Sequence, residues 1–248
     1  MANTTIFYGV HAVQASLDNH PDSILTVYCE LGEVNARVKH ILEKAKNHGI
    51  TIESIATLKL DKLCESTQHQ GIAAKVKSLS SKTEKDIFEW LQNTDKKPLL
   101  LILEGIQDPH NLGACLRSAE ALGVDWVILP KDNSASVNAL VSKIACGATL
   151  TLPVVECTNV VRFIEQVQKR DVWVVGTSGS AQITLQEASL ARSLAIVMGT
   201  EEKGLKRLTI EACDEVAKIP LFGKVESLNV SVATGITLYE VSKQRHQK

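Results

Sequence analysis

The chain has 248 residues, 44% of them hydrophobic and 22% charged, with a formal net charge of −1. That is enough for one large domain or two small ones, with the composition of an ordinary soluble globular protein. The charge balance gives no global sign of nucleic-acid binding, so an RNA partner would need a local basic patch.

Cys29, Cys64, Cys115, Cys146, Cys157 and Cys213 form no C-x-x-C pair and have no neighbouring histidine cluster. They read as small buried hydrophobes in a reducing cytosol, with no metal site and no disulfide frame expected. The opening MANTTIFYGV lacks the basic and apolar regions of a secretory signal, and no uncharged apolar run is long enough to span a bilayer. The expectation is a cytoplasmic protein without a membrane partner.

Residues 1–77 read as a small first α/β domain. A short helix opens at Gly9-Val10-His11-Ala12-Val13, a strand follows at Ile24–Cys29, and an amphipathic helix covers Val34–His48. Gly49 stands where a helix C-cap belongs, Ile50–Ser54 reads as a strand, and Leu58–Cys64 as a helix. His69-Gln70-Gly71 is a polar turn before an apolar strand at Ile72–Val76. Lys39, Lys44 and Lys46 are read as a solvated helix face rather than a phosphate-reading strip. Residues 78–97 are polar and charged, with Phe88, Trp90 and Leu91 as apolar anchors, and read as a linker carrying a short helix.

Residues 98–248 alternate strands and helices, which indicates a mainly parallel α/β sheet. The aliphatic run Leu99–Leu103 is a strand buried on both faces. The loop EGIQDPHNLG leads to a helix over Leu112–Leu122, with Asn111 placed to cap it. Strands are expected at Trp126–Leu129, Leu150–Val155, Val172–Val175, Leu194–Met198 and Glu215–Ile219, and helices near Val137–Cys146, at Val160–Lys169 and, with Ser227 and Asn229 both good helix-start residues, from there to the C-terminus. Ligands of such sheets bind beyond the carboxyl ends of the strands. Glycine-bearing loops after residues 175, 198 and 219 fall on that edge.

These loops match neither G-x-G-x-x-G nor G-x-x-x-x-G-K-[ST], which argues against a Rossmann dehydrogenase or a P-loop NTPase. What remains is three polar clusters: Asn111-Leu112-Gly113 with Arg117, Gly199-Thr200-Glu201, and Ser227-Leu228-Asn229. On its helix Arg117 stands among apolar residues, where a surface charge is the ordinary reading.

Taken together, N-x-G-x-x-x-R, G-x-E-x-x-G-L and I-P-L-x-G-x-V-x-S-L-N-V-S-V-A resemble the three motifs of the SpoU (TrmH-type) RNA ribose 2′-O-methyltransferases, of the SPOUT class. The resemblance spans residues 98–245. Gly9–Val13 and His69–Ala73 are similar to the ribosomal-L30e-like substrate-binding domain of the bacterial subfamily that methylates a guanosine in 23S rRNA. The resemblance implies a deep C-terminal trefoil knot, S-adenosylmethionine as cofactor, RNA as substrate and an obligate homodimer whose subunits share a site. It places Gly199, Ile219 and Leu228 at cofactor-contacting backbone positions, with Thr177 a further candidate. One departure is Glu202-Lys203, where a small and then a variable residue are usual; spacing from Gly199 gives the acidic role to Glu201.

A ribose hydroxyl is a poor nucleophile and must be activated in line with the methyl donor. Arg117 is expected to contact the 2′-oxygen and the adjacent phosphate. Its high pKa favours stabilising the developing oxyanion over abstracting a proton. Asn111 and Glu201 would position Arg117 and the ribose, and Ser227 and Asn229 would hold the loop and the target nucleotide. Two alternatives stay open at this stage: a tRNA ribose methyltransferase, and a non-catalytic RNA-binding or ribosome-assembly factor.

Overall fold

A computed structural model describes residues 4–77 and 82–246. Residues 78–81, the start of the expected linker, lie outside the described residues. The chain divides into two compact units, residues 1–81 with 136–151, and residues 82–135 with 152–248.

The first unit opens with β1 (Thr4–Tyr8), α1 (Val10–Asn19), β2 (Ile24–Glu30), α2 (Ala36–Asn47), β3 (Thr51–Ile55), α3 (Thr57–Cys64) and β4 (Ile72–Lys77). Its sheet runs β1-β4-β2-β3, with β4 antiparallel to both neighbours and β2 parallel to β3. The sequence reading missed β1, whose Thr-Thr-Ile-Phe-Tyr run buries only its last two residues. Asn35 caps α2 by accepting from the Val38 amide at 2.9 Å, and Gly49 adopts φ 69° just past the helix end. Val13, Leu17, Val27, Val38, Ile41, Ile72 and Val76 form the core.

The turn before β4 is tightly tied. His69 is 2% exposed; its Nδ1 accepts from the Gly71 amide at 3.1 Å, so its Nε2 donates to Asp61 at 2.9 Å. Gln70 Oε1 accepts from the Val10 amide at 3.0 Å, at the start of α1.

The chain continues through α4 (Glu84–Asn93), β5 (Leu99–Leu103), α5 (Pro109–Ala121) and β6 (Trp126–Pro130). It then returns to the first unit with α6 (Ala139–Ile144). There Lys143 donates to the Gln68 carbonyl at 2.8 Å and lies 4.8 Å from the Tyr8 ring centroid. The sequence reading placed this helix in the second half; a short apolar helix carries no mark of which core it will join.

The second unit resumes with β7 (Val154–Cys157), α7 (Val160–Gln168), β8 (Trp173–Thr177), β9 (Ile183–Thr184), β10 (Leu194–Met198), α8 (Arg207–Ala212), β11 (Glu215–Lys218) and α9 (Val230–His246). Its sheet of seven strands has the order β7-β6-β5-β10-β8-β11-β9, and every pairing is parallel. All five residues of β5 and of β10 are buried, as expected of central strands covered on both faces. The apolar stripe Val160, Phe163, Ile164 and Val167 holds α7 to the sheet, and Phe88 of α4 stacks on Phe163 with centroids 5.6 Å apart.

Two local expectations are corrected. Leu150–Val155 is not one strand: Ala148–Leu150 forms a 3-10 turn and β7 starts only at Val154, past Pro153. Nor does Asn111 cap α5. The helix begins at Pro109 and its cap is Asp108, which accepts from the His110 amide at 2.9 Å. Asp-Pro is the better start signal, because proline fits the first helical position, where no amide partner is needed. Asn111 is thereby free to turn its amide elsewhere.

Candidate active site

The carboxyl ends of β5, β10, β8 and β11 open onto the loops that carry the motifs. After β10, Thr200 and Gly204 exchange backbone hydrogen bonds of 3.1 and 3.0 Å, folding Gly199–Leu205 into a tight loop. Gly199 leaves no room for a side chain unless the loop shifts, since an added Cβ would lie 2.2 Å from the Gly204 carbonyl carbon. The loop presents Glu201 to the start of α9.

Glu201 Oε1 gathers three donors: the Val230 amide at 3.0 Å, Asn229 Nδ2 at 2.6 Å and Asn111 Nδ2 at 3.2 Å. Asn229 Nδ2 also reaches Asn111 Oδ1 at 2.8 Å. Asn229 Oδ1 in turn caps α9, accepting from the Ser231 amide at 2.9 Å and the Val232 amide at 3.4 Å. A carboxylate at the positive end of a helix is electrostatically favoured. Residues 111, 201 and 229, far apart in sequence, thus form one closed polar triangle. Glu201, not Glu202, makes these contacts.

Beside the triangle lies a cavity of about 290 Å³ lined by Thr177, Gly199, Glu201, Ile219, Ser227 and Leu228, among others. All four expected cofactor positions line it. Thr177 Oγ1 donates to the Val197 carbonyl at 3.1 Å, pinning the end of β8 to β10. Ser227 stands exposed on the rim and does not share the capping of α9. Ser178, Gly179, Met198, Lys203, Glu226 and Ala233 also line the space. Sequence reasoning missed these residues, though Ser178, Gly179 and Met198 adjoin positions it had named. Its volume lies at the small end of ligand pockets, which run from about 300 to about 1,000 Å³. Gly179, Gly199 and Gly204 line it together with the apolar Ile219, Leu221 and Leu228.

Arg117 stands apart. It is exposed on α5, lines no part of this cavity, and among the described residues makes no hydrogen bond or ion pair. The packing of α5 on α9 runs through small groups, with Cys115 Sγ 3.5 Å from Thr234 Oγ1 and Gly235 facing Ser118. That packing leaves Val232, Ile236 and Tyr239 exposed along one stripe of α9. Burial pushes the Cys115 thiol up to about 11, so it is an inert core group rather than a nucleophile.

Comparison with known proteins places these features in a class, the SpoU rRNA methylases. The profile of the SpoU rRNA Methylase family matches residues 98–239, and that of RNA 2′-O ribose methyltransferase substrate binding matches residues 6–81. The chain belongs to the SpoU rRNA methylase family. It is 48% identical to the 23S rRNA (guanosine-2′-O-)-methyltransferase RlmB of Shewanella oneidensis, over 99% of each chain. To the enzyme of that name from Escherichia coli K12 it is 44% identical, over 97% of this chain and 98% of the other. Among solved structures, the SpoU methyltransferase AviRb from Streptomyces viridochromogenes in complex with AdoMet superposes with a TM-score of 0.78 at 21% identity, covering 98% of this chain and 91% of that one.

Proposed function

We propose that this protein transfers a methyl group from S-adenosylmethionine to the ribose 2′-hydroxyl of a guanosine in the peptidyl-transferase region of 23S rRNA. The observation that carries the reading is the closed Asn111–Glu201–Asn229 triangle beside a cavity lined by all four expected cofactor positions. Near-full-length identity to enzymes named for this reaction on 23S rRNA supports the choice of substrate.

When bound, S-adenosylmethionine supplies an electrophilic methyl on a sulfonium. The chain's own residues do the rest. The loops after β8, β10 and β11 hold the donor through backbone groups and the apolar wall of Ile219 and Leu228. Glu201, with its Oε1 satisfied by three donors, fixes Asn111 and Asn229 toward the ribose, and Ser227 holds the loop at the mouth. Arg117, exposed and without a side-chain partner among the described residues, is free to meet the 2′-oxygen and the neighbouring phosphate, where its charge would stabilise the oxyanion left as the hydroxyl proton passes to water.

The enzyme works as a homodimer. Val232, Ile236 and Tyr239 fall at i, i+4 and i+7 on α9, an apolar stripe that calls for a partner surface. Pairing two copies there supports a site shared between subunits, with Arg117 meeting the partner's half. The final segment threads an earlier loop to give the deep trefoil knot of the family; the insertion of β10 between β5 and β8 and the packing of α9 on α5 support this. Residues 1–77 with 136–151 form the L30e-like RNA-binding domain and residues 82–135 with 152–248 the transfer domain, so that α4, within the expected linker 78–97, packs with the latter. We place this work in the cytoplasm; no helix of the described residues is long and apolar enough to cross a membrane.

Labelled S-adenosylmethionine incubated with unmodified 23S rRNA and, separately, with tRNA tests the reading. Label on one guanosine ribose of 23S rRNA supports it. Label in tRNA alone points to the related tRNA enzymes, and none in either to a binding factor.

A further inference from the structure

One buried carboxylate near the site has no part in this scheme. Glu104 follows directly on β5 and is 3% exposed, a placement that is costly for a carboxylate unless its oxygens are well partnered. Its Oε2 accepts from the Lys206 backbone amide at 3.1 Å and its Oε1 from the Thr209 hydroxyl at 2.9 Å, with the Lys206 ammonium 3.6 Å away. Its own backbone amide donates to the Met198 carbonyl at 2.8 Å.

Met198 and Lys206 flank the Gly199–Leu205 loop, so this one residue fastens both of its ends. The next residue supports the loop's floor: Gly105 has φ 81°, and a Cβ there would lie 2.9 Å from Thr200 Cγ2. Glu104 does not line the cofactor cavity.

We infer that Glu104 is a positioning residue for methyl transfer, clamping the Gly199–Leu205 loop so that the cavity keeps its shape and Glu201 meets Asn111, Asn229 and α9. The inference rests on reading that cavity as the S-adenosylmethionine site.

Full-length Glu104→Met and Glu104→Gln proteins test it, with KM measured separately for S-adenosylmethionine and for RNA and with calorimetric titration of S-adenosylhomocysteine. Methionine keeps the length but removes both acceptors. Glutamine still accepts from the Lys206 amide, and the Thr209 hydroxyl can turn to accept from its amide group. Misplacement of a site by about an ångström costs up to roughly a hundredfold, so Glu104→Met should weaken cofactor KM and Kd by about tenfold or more. Glu104→Gln should restore most of that, and RNA KM should stay unchanged in both. A generally damaged fold would instead lower kcat through the active fraction and leave both KM values alone. Wild-type cofactor KM and kcat in folded Glu104→Met would overturn the inference, as would that general pattern. If this variant does not fold, Thr209→Val serves, with a smaller cofactor defect expected and none overturning the inference. Failure of the wild-type protein itself to bind S-adenosylhomocysteine would overturn the underlying reading and the inference together.

Discussion

Glu201 Oε1 accepts a 3.0 Å hydrogen bond from the amide of Val230, the first residue of α9, across 29 residues of chain. The same oxygen takes the Asn111 and Asn229 amide groups, so one carboxylate couples the loop after β10, the start of α5 and the start of α9. Glu201→Ala should lower methyl transfer by roughly a hundredfold through lost orientation. Because Glu201 is itself exposed, the melting temperature should move only a few degrees. Parallel transfer assays and thermal melts check both halves.

Arg117 gives the opposite separation of function and stability. With no partner among the described residues and an exposed side chain, it contributes little to folding, within about 0.5 kcal/mol for a surface substitution. Arg117→Ala should therefore abolish transfer with cofactor affinity and melting temperature near wild type. Arg117→Lys should recover only part of the rate, because an ammonium cannot span oxygen and phosphate as a planar fork does. Single-turnover rates with calorimetric cofactor titrations read this out.

Gly199→Ala forces a methyl group into backbone atoms of Gly204 and Leu205 that would lie 2.2 to 2.4 Å away. Neither is a flexible side-chain end, so the loop must shift. The expected cost is about 1–3 kcal/mol of stability, together with loss of S-adenosylhomocysteine binding in calorimetry. Denaturant unfolding gives the first quantity.

Ile236→Glu tests the stripe on α9. Burying an unpaired carboxylate in an apolar interface is strongly unfavourable, so if the stripe is the proposed dimer interface the wild type should sediment as a dimer and the variant as a monomer. Loss of transfer should accompany loss of the dimer, with cofactor binding at the cavity less affected.

Much of the second unit was legible because its signals are local. Leu194–Met198 reads as a buried strand from five consecutive apolar residues, and the strand has those bounds. Ser227 and Asn229 both read as helix starts from side-chain chemistry alone, and of the two it is Asn229 that caps α9. Leu150–Val155 misled because an apolar run shows the same pattern whether it extends or turns, and only Pro153 hinted at the break. Asn111 was misjudged because two good capping residues, Asp108 and Asn111, compete within one turn; the proline after Asp108 decides it. The ties from Glu104 to Lys206 and Thr209 span about a hundred residues, and no local pattern announces a contact of that range. The return of α6 to the first unit is hidden for the same reason.

The most direct test is a crystal structure with S-adenosylhomocysteine. The account predicts the ligand in the cavity bounded by Thr177, Gly199, Ile219 and Leu228, its sulfur turned toward the Asn111–Glu201–Asn229 triangle. Density instead in the separate cavity lined by Ser180, Ile210 and Glu215, or a sulfur facing away from the triangle, would contradict it.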